Sequence, residues 1–330
     1  KQSPRLSLVK LYRPAASLSS SQIGSREIFE LRLLIMLRVV VMVSVLFMGQ
    51  LASSQTSDLT DYETRAFVGS AGIERKYLLR LPMGFLAGDC AHVVFDFHGA
   101  TGTAEGEFRY SNFPPIADRE GFVLVHPDAN KHYVDQDHPL ATYWNSAWEA
   151  VKRERDYDVN FILELVASLQ DEFCTQQFYA TGMSAGGDIS SALACLADTP
   201  FAAFAPVTYR YYYTEECADA GPRPMLSFQG DADRIVPIEG SGTPWFDPPM
   251  QEIMARWARH NGCASEPTQS RVSTEVLHYT WSGCTAATEW YLIEGGGHTW
   301  PGGPISRPGS HVTQDISASE LIWTFFQRYP

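Results

Sequence analysis

The most obvious deficit of the sequence is in positive charge. The 330 residues contain 25 Lys and Arg against 38 Asp and Glu, which gives a formal net charge of −13. Because proteins that bind nucleic acid need clustered basic residues, a nucleic-acid partner is excluded. The sequence also has no Asn-x-Ser/Thr acceptor, no Cys/His spacing typical of zinc binding and no internal repeat. N-glycosylation, a structural zinc site and a repeat architecture are therefore not expected.

A hydrophobic run suited to spanning a membrane is also missing. The longest apolar stretch is interrupted by Arg38, and a membrane span needs about 20 residues. Residues 36–54 instead have the short basic start, apolar centre and small-residue end of a secretory signal peptide, with cleavage after Ser54. We expect residues 1–35 to be an over-extended or disordered segment and residues 55–330 to be a single secreted domain. Without the first 54 residues, 18 basic and 36 acidic residues remain, a formal charge of −18.

The residues that are present point first to Ser184. It is the centre of a G-x-S-x-G pentapeptide that lies between a predicted strand at 177–180 and a predicted helix at 188–196. A serine on such a strand-to-helix turn adopts strained backbone angles, and the flanking glycines Gly182 and Gly186 let the turn close. The hydroxyl then projects above the sheet, close to a helix N-terminus. This context favours a nucleophilic serine over a chance occurrence of the pattern.

A nucleophilic serine needs a histidine to take its proton and a carboxylate to orient that histidine. In α/β-hydrolases the order along the chain is serine, acid, histidine. Asp231 and Asp233 both follow the predicted strand at 224–230. Asp233 is the favoured acid, because Asp231 is better suited to cap the turn itself. His298 follows the last predicted strand, 289–293, in a glycine-rich loop, so it is the predicted base.

An oxyanion hole would stabilise the negative charge that develops on the substrate. In this arrangement one N–H group comes from the residue after the nucleophile, here Ala185, and another from the loop after the third strand. Ala100 is the predicted second donor and Thr101 the alternative, because both follow the predicted strand at 93–98. His98, at the end of that strand, is expected to brace the loop rather than to act as a second base.

Beyond these motifs, the chain resembles the secreted esterases known as polyhydroxybutyrate depolymerase-like, a family that includes feruloyl esterases and acetylxylan esterases. The resemblance covers nearly all of residues 76–328, and its most specific element is the His-Thr-Trp-Pro-Gly-Gly sequence that begins at His298. The segments that carry it are FDFHGATGTAEG (95–106), FVLVHPDA (122–129), YATGMSAGG (179–187), FAAFAPV (201–207), FQGDADRIVP (228–237), ARWARHNGC (255–263) and EGGGHTWPGG (294–303).

The resemblance implies an α/β-hydrolase fold with a mostly parallel central sheet and helices on both faces. It places the nucleophile on Ser184, the acid on Asp233 and the base on His298, with no metal or organic cofactor. The expected activity is that of a secreted serine carboxylesterase. Feruloyl or other hydroxycinnamoyl esters of plant polysaccharide rank first as substrates, acetylated xylan second and polyhydroxyalkanoates such as 3-hydroxybutyrate polyesters third. A peptidase of the same fold and a non-catalytic carbohydrate-binding protein are more distant alternatives.

The same fold narrows the pairing of the six cysteines. Six cysteines fit an extracellular protein, since disulfides persist outside the cytosol. Cys90 and Cys174 precede strands that are neighbours in this fold, so a Cys90–Cys174 disulfide is expected. Cys263 and Cys284 flank a strand-loop-strand excursion and are expected to pair, which leaves Cys195 with Cys217.

Aromatic residues are the predicted substrate contacts. Trp300, two residues after His298, is expected to line the acyl or alcohol pocket. Trp144 lies in an aromatic-rich insert at 129–148, and Tyr211 lies in a tyrosine-rich run at 209–213. Aromatic faces can stack on phenolic rings or sugars, so both inserts are predicted to contact substrate. The tyrosine run departs from the small residues that the family carries at this place.

Overall fold

A central sheet of ten strands organises the described part of the chain. The computed structural model describes residues 62–129, 144, 157–209, 216–240, 248–305 and 309–330, all within one compact unit that spans Ser57–Pro330. In this part of the chain ten strands form one sheet in the order β1-β2-β4-β3-β5-β6-β7-β10-β9-β8. The strands are β1 (Glu63–Val68), β2 (Glu74–Arg80), β3 (Cys90–Phe97), β4 (Val123–Pro127), β5 (Cys174–Met183), β6 (Phe201–Val207), β7 (Met225–Gly230), β8 (Thr268–Arg271), β9 (Val276–Thr280) and β10 (Thr288–Ile293).

The centre of the sheet is parallel and both edges are antiparallel. Strands β4, β3, β5, β6, β7 and β10 pair in parallel, whereas β1 and β2 on one side and β9 and β8 on the other pair antiparallel. The parallel strands read as nearly continuous apolar runs because both of their faces are covered. The described helices are α1 (Ala104–Tyr110), α2 (Pro114–Glu120), α3 (Tyr157–Glu172), α4 (Ala185–Ala194), α5 (Met250–His260) and α6 (Ala318–Phe326), with a short 3₁₀ helix at Glu216–Asp219.

Helices cover both faces of the sheet. On one face α3, α4 and α5 share a buried cluster with alternate residues of β3, among them Phe95 and Phe97, and with Trp290 of β10. On the other face α2 and α6 pack on the intervening residues, including Val94. The predicted fold class, an α/β-hydrolase with a mostly parallel sheet, is confirmed. Among the described residues no helix is long and apolar enough to cross a membrane.

Two short helices were not predicted from the sequence. Helices α1 and α2 have seven residues each and connect β3 to β4, so α1 begins near the carboxyl end of β3. Thr103 caps α1 by accepting a hydrogen bond from the Gly106 N–H at 3.1 Å, and Glu105 lies in its first turn. A threonine cap followed by acidic residues is a recognised start signal. The sequence of residues 99–113 therefore contains a start signal for helix α1.

Candidate active site

Ser184 lies on a strained turn between β5 and α4. Its backbone angles are φ 55° and ψ −117°, a region that non-glycine residues rarely occupy. The Ser184 N–H donates to the Val207 carbonyl oxygen at 2.9 Å, which ties the turn to the end of β6. A Cβ atom at Gly186 would lie 1.9 Å from the Phe97 carbonyl oxygen, so only glycine lets the turn approach β3 this closely. The pentapeptide thus has the geometry of a nucleophile elbow.

His298 and Asp233 form a buried hydrogen-bonded pair. His298 Nδ1 lies 2.8 Å from Asp233 Oδ2, and both side chains are almost completely buried. The other carboxylate oxygen, Oδ1, accepts the backbone N–H groups of Ile235 and Val236, each at 2.8 Å. Gln229 Nε2 donates to Oδ2 at 3.1 Å. With both oxygens held, the carboxylate has a defined orientation toward the imidazole.

The two candidate acids have different surroundings. Asp231 is exposed, and its Oδ1 accepts the Gly295 N–H at 2.5 Å, so it caps a turn as the sequence suggests. Of the two, Asp233 is the residue that contacts His298. Its role as the catalytic acid stays a prediction.

A cavity of about 380 Å³ brings Ser184 and His298 together. This volume lies in the usual range for small-molecule sites. The loop 99–102 forms one wall, and much of the rest is apolar, with Tyr110, Met183, Ile235 and Ile305 among the lining residues. Ile235 and Ile305 are 48% and 43% exposed, so they stand at its mouth. None of these four residues was singled out by the sequence, because only the tertiary fold places them beside Ser184.

The loop after β3 is braced from within. His98 Nδ1 lies 2.8 Å from the Gly99 carbonyl oxygen, and His98 Nε2 lies 3.0 Å from the Ala129 N–H. Burial lowers the pKa of His98, so the ring is neutral, with its proton on Nδ1 and Nε2 acting as acceptor. The Gly102 N–H also donates to the Gly99 carbonyl at 3.0 Å. His98 therefore supports the loop rather than facing Ser184 as a base.

The predicted oxyanion donors lie at the same place. Ala185 begins α4, and N–H groups in the first turn of a helix have no acceptor within the helix. Ala100 and Thr101 both line the cavity, and Thr101 has a positive φ of 65°. Both stay open as the second donor, and the donor roles stay predictions.

Two of the predicted substrate contacts are wrong. Trp300 is completely buried in the core below the histidine loop, where its Nε1 donates to Ser319 Oγ at 3.0 Å and its ring packs on Phe113. Trp144 is 5% exposed, and its Nε1 donates to the His98 carbonyl oxygen at 2.8 Å. Both indoles support the site from behind and neither lines the described cavity. Tyr211 lies outside the described residues.

The six cysteines form three disulfides in the predicted pairing. Cys90–Cys174 joins the first residues of β3 and β5, which face each other in register. The other two disulfides are Cys195–Cys217 and Cys263–Cys284. Among the described residues no group of three His, Cys, Asp or Glu side chains is arranged to hold a metal ion.

A strained serine elbow and a buried Asp–His pair, both at the carboxyl edge of a doubly covered parallel sheet, define an α/β-hydrolase. No family model matches the chain. It is similar to feruloyl esterase B of Piromyces equi, with 25% identity over 238 residues that cover 68% of this chain and 42% of that protein. It is also similar to feruloyl esterase C of Emericella nidulans, with 24% identity over 76% of this chain and 83% of that protein.

The fold comparison agrees with these relatives. The solved structure of a CE1 ferulic acid esterase from Anaeromyces mucronatus matches with a TM-score of 0.52 and 14% identity, and the match covers 81% of this chain and 90% of that one. The described domain is thus similar to carboxylic ester hydrolases in sequence and in fold. Its resemblance to the feruloyl esterases is confirmed. Because the chain spans less than half of the Piromyces equi relative, the activity of the whole protein is a proposal.

Proposed function

We propose that the protein is a secreted serine carboxylesterase that acts through Ser184, His298 and Asp233. The observation that carries the proposal is the 2.8 Å contact between His298 Nδ1 and Asp233 Oδ2. His298 lines the same cavity as Ser184, and Ser184 lies on a strained turn. Strain at a buried turn persists only where the surrounding structure holds it, and it is concentrated at functional sites.

The chemistry follows from these positions. His298 accepts the Ser184 hydroxyl proton as Oγ attacks the ester carbonyl carbon, and the carbonyl electron pair moves to oxygen. The N–H groups of Ala185 and of Ala100 or Thr101 stabilise that oxyanion. When it collapses, the ester C–O bond breaks and His298 returns the proton to the departing alcohol. Water then repeats the sequence on the acyl-enzyme and releases the acid, while Asp233 holds the imidazole in the required tautomer.

Feruloyl and related hydroxycinnamoyl esters are the proposed substrates. The relatives named feruloyl esterase support this choice, and so does a cavity with a largely apolar wall and Tyr110 at its side. An apolar wall favours an aromatic acyl group over acetate, because burial of the ring removes more apolar surface from water. With Trp300 and Trp144 buried elsewhere, specificity is expected to depend on Tyr110, Ile235 and Ile305.

The proposed location is extracellular. Three disulfides among the described residues fit an oxidising compartment, since cytosolic proteins keep their thiols reduced. The signal peptide at residues 36–54 and the domain boundary at residue 55 belong to the same proposal. Detection of the mature protein in the medium of a secreting host, with N-terminal sequencing of the product, tests both.

The activity is tested with residues 55–330 and a Ser184→Ala control. Methyl ferulate, acetylated xylan and soluble 3-hydroxybutyrate oligomers are supplied in parallel, and the released acid is measured. We expect serine-dependent hydrolysis, fastest for methyl ferulate. Faster release of acetate or of 3-hydroxybutyrate would change the proposed substrate class and leave the proposed mechanism intact. Equal rates for the wild type and Ser184→Ala on every ester would refute the mechanism.

A further inference from the structure

Helix α1 carries a buried carboxyl group against the loop that holds the predicted oxyanion donors. Glu107 is 4% exposed, lines the cavity and lies on the inner face of the helix. The backbone N–H of Gly99 interacts with the Glu107 carboxyl group and favours the charged form, whereas the larger effect of burial favours the neutral form. Gly99 also lies close to the nucleophile, since a Cβ atom there would lie 3.4 Å from Ser184 Cβ. Glu107 therefore faces the loop at a residue that lies close to Ser184.

A second buried acid lies behind Glu107. Asp96 on β3 is completely buried and interacts electrostatically with Glu107. Glu107 Oε1 and both carboxyl oxygens of Asp96 lack a well-aligned hydrogen-bond partner among the described residues. Burial raises the pKa of Asp96 to about 8 and raises the pKa of Glu107 well above its ordinary value. Two adjacent buried carboxyl groups without a counter-ion cannot both be charged, so protons remain bound at neutral pH.

The groups around this acid pair do not supply positive charge. From β3, His98 faces the same region, and burial lowers its pKa. From β4, His126 lies with Nδ1 3.5 Å from Asp96 Oδ2, and burial lowers its pKa to about 3. Asp128, after β4, accepts the Ala104 N–H at the start of α1. Tyr110 and His298 also line the cavity, and Glu105 and the exposed Arg109 lie on α1.

We propose that Glu107 is a positioning residue for ester hydrolysis. In its neutral form Glu107 holds Gly99 and the rest of the loop 99–102 in place, and Glu107 and Asp96 titrate as a pair. The proposal rests on the proposed esterase function. A neutral carboxyl group can accept the Gly99 N–H without placing a charge beside the oxyanion. Ionisation of the pair would place negative charge beneath the developing oxyanion and raise the energy of the transition state.

The test uses residues 55–330 carrying Glu107→Leu, Glu107→Gln or Glu105→Leu, assayed on the fastest ester between pH 6 and pH 10. Glu105 provides a matched control, since it lies on α1 two residues away and does not line the cavity. We expect Glu107→Leu to lower kcat by about 10- to 100-fold with KM nearly constant, as displacement of a catalytic group does. Glu107→Gln should be far less impaired, because its amide oxygen can accept the same N–H. Glu105→Leu should behave like the wild type.

The pH profile separates positioning from simple packing. The wild type should lose kcat as pH rises through the ionisation of the pair, and Asp96→Asn combined with Glu107→Gln should retain kcat to higher pH. Equal kcat in Glu107→Leu and the wild type would overturn the proposal, as would equal losses in the Gln and Leu variants or an unchanged alkaline limb in the double variant. Infrared difference spectra should show a protonated carboxyl band near neutral pH that the double variant lacks. If no ester is hydrolysed but this band is present, the esterase function fails and the buried acid pair stands.

Discussion

Replacement of Asp233 by Asn is the sharpest test of the candidate site, because the structure predicts which hydrogen bonds of this side chain are kept and which are lost. The amide oxygen can still accept the N–H groups of Ile235 and Val236, now made at 2.8 Å to Oδ1. The new NH₂ group replaces Oδ2, which receives hydrogen bonds from His298 and Gln229. A donor then faces His298 Nδ1, so the imidazole changes tautomer and places its proton toward Ser184.

The expected loss of kcat is large, because the change of tautomer stops His298 from acting as a base while the fold is retained. Loss of tautomer control in a serine triad costs about 10⁴-fold in kcat. One donor–donor contact, with Gln229, adds about 1–3 kcal/mol of destabilisation, which a thermal melt would detect. The assay is steady-state hydrolysis of methyl ferulate, with kcat and KM measured separately. We expect kcat to fall by about 10³- to 10⁴-fold while KM stays within a few-fold.

Asp231→Asn is the matched control. Asp231 is exposed and contacts the Gly295 N–H, a bond that the Asn oxygen can also accept. We therefore expect less than about a threefold change in kcat, since a surface substitution of this kind has a small effect. A larger loss in Asp231→Asn than in Asp233→Asn would refute the assignment of the acid. Retention of most of the activity by a folded Asp233→Asn protein would refute the triad itself.

Three further predictions concern stability. Gly186→Ala should lower Tm by more than about 5 °C because its Cβ would collide with backbone. Gly221→Ala should leave Tm nearly unchanged in the same melt, because its Cβ would make only an ordinary van der Waals contact, 3.6 Å from Arg223 Nη1. Asp96 has a raised folded pKa, so the unfolded chain releases its proton first and stability falls as pH rises from about 4 to about 8. Asp96→Asn should therefore gain stability relative to the wild type in urea melts at pH 8 and not at pH 4; an equal difference at both pH values would contradict the buried-acid assignment. Removal of the Cys90–Cys174 disulfide by double Ala substitution should cost about 2–4 kcal/mol, and peptide mapping without reduction should show this link in the wild type.

The elbow and the Asp–His pair could be predicted because their signals are local and ordered. The two glycines around Ser184 are required because a Cβ atom at either position would collide with the backbone at Phe97, a close approach that the strand-to-helix turn needs. Asp233 and His298 each follow a strand, and parallel strands bring their carboxyl ends to one edge. Position after a strand is thus enough to place a residue at this edge of the sheet.

The direction of a side chain from a loop could not be predicted in the same way. Trp300 is two residues from His298, but the loop turns inward after the histidine and the indole enters the core against Phe113. Glu107 was missed for the opposite reason. It lies in a short acidic and basic stretch that suggests a solvated surface, and only the packing of α1 on the sheet turns it inward. Such orientations depend on contacts between residues that are far apart in the chain.

The Cys90–Cys174 disulfide and the candidate active site lie at opposite ends of the same two strands. The disulfide joins the first residues of β3 and β5, while His98 and Ser184 follow the last residues of the same strands. At about 3.3 Å per residue, the eight residues of β3 place the two ends roughly 25 Å apart. Reduction of this crosslink would therefore lower the stability of the sheet and leave the side chains of the candidate site in place. In a reducing medium the molecule would keep its turnover number while its lifetime shortens.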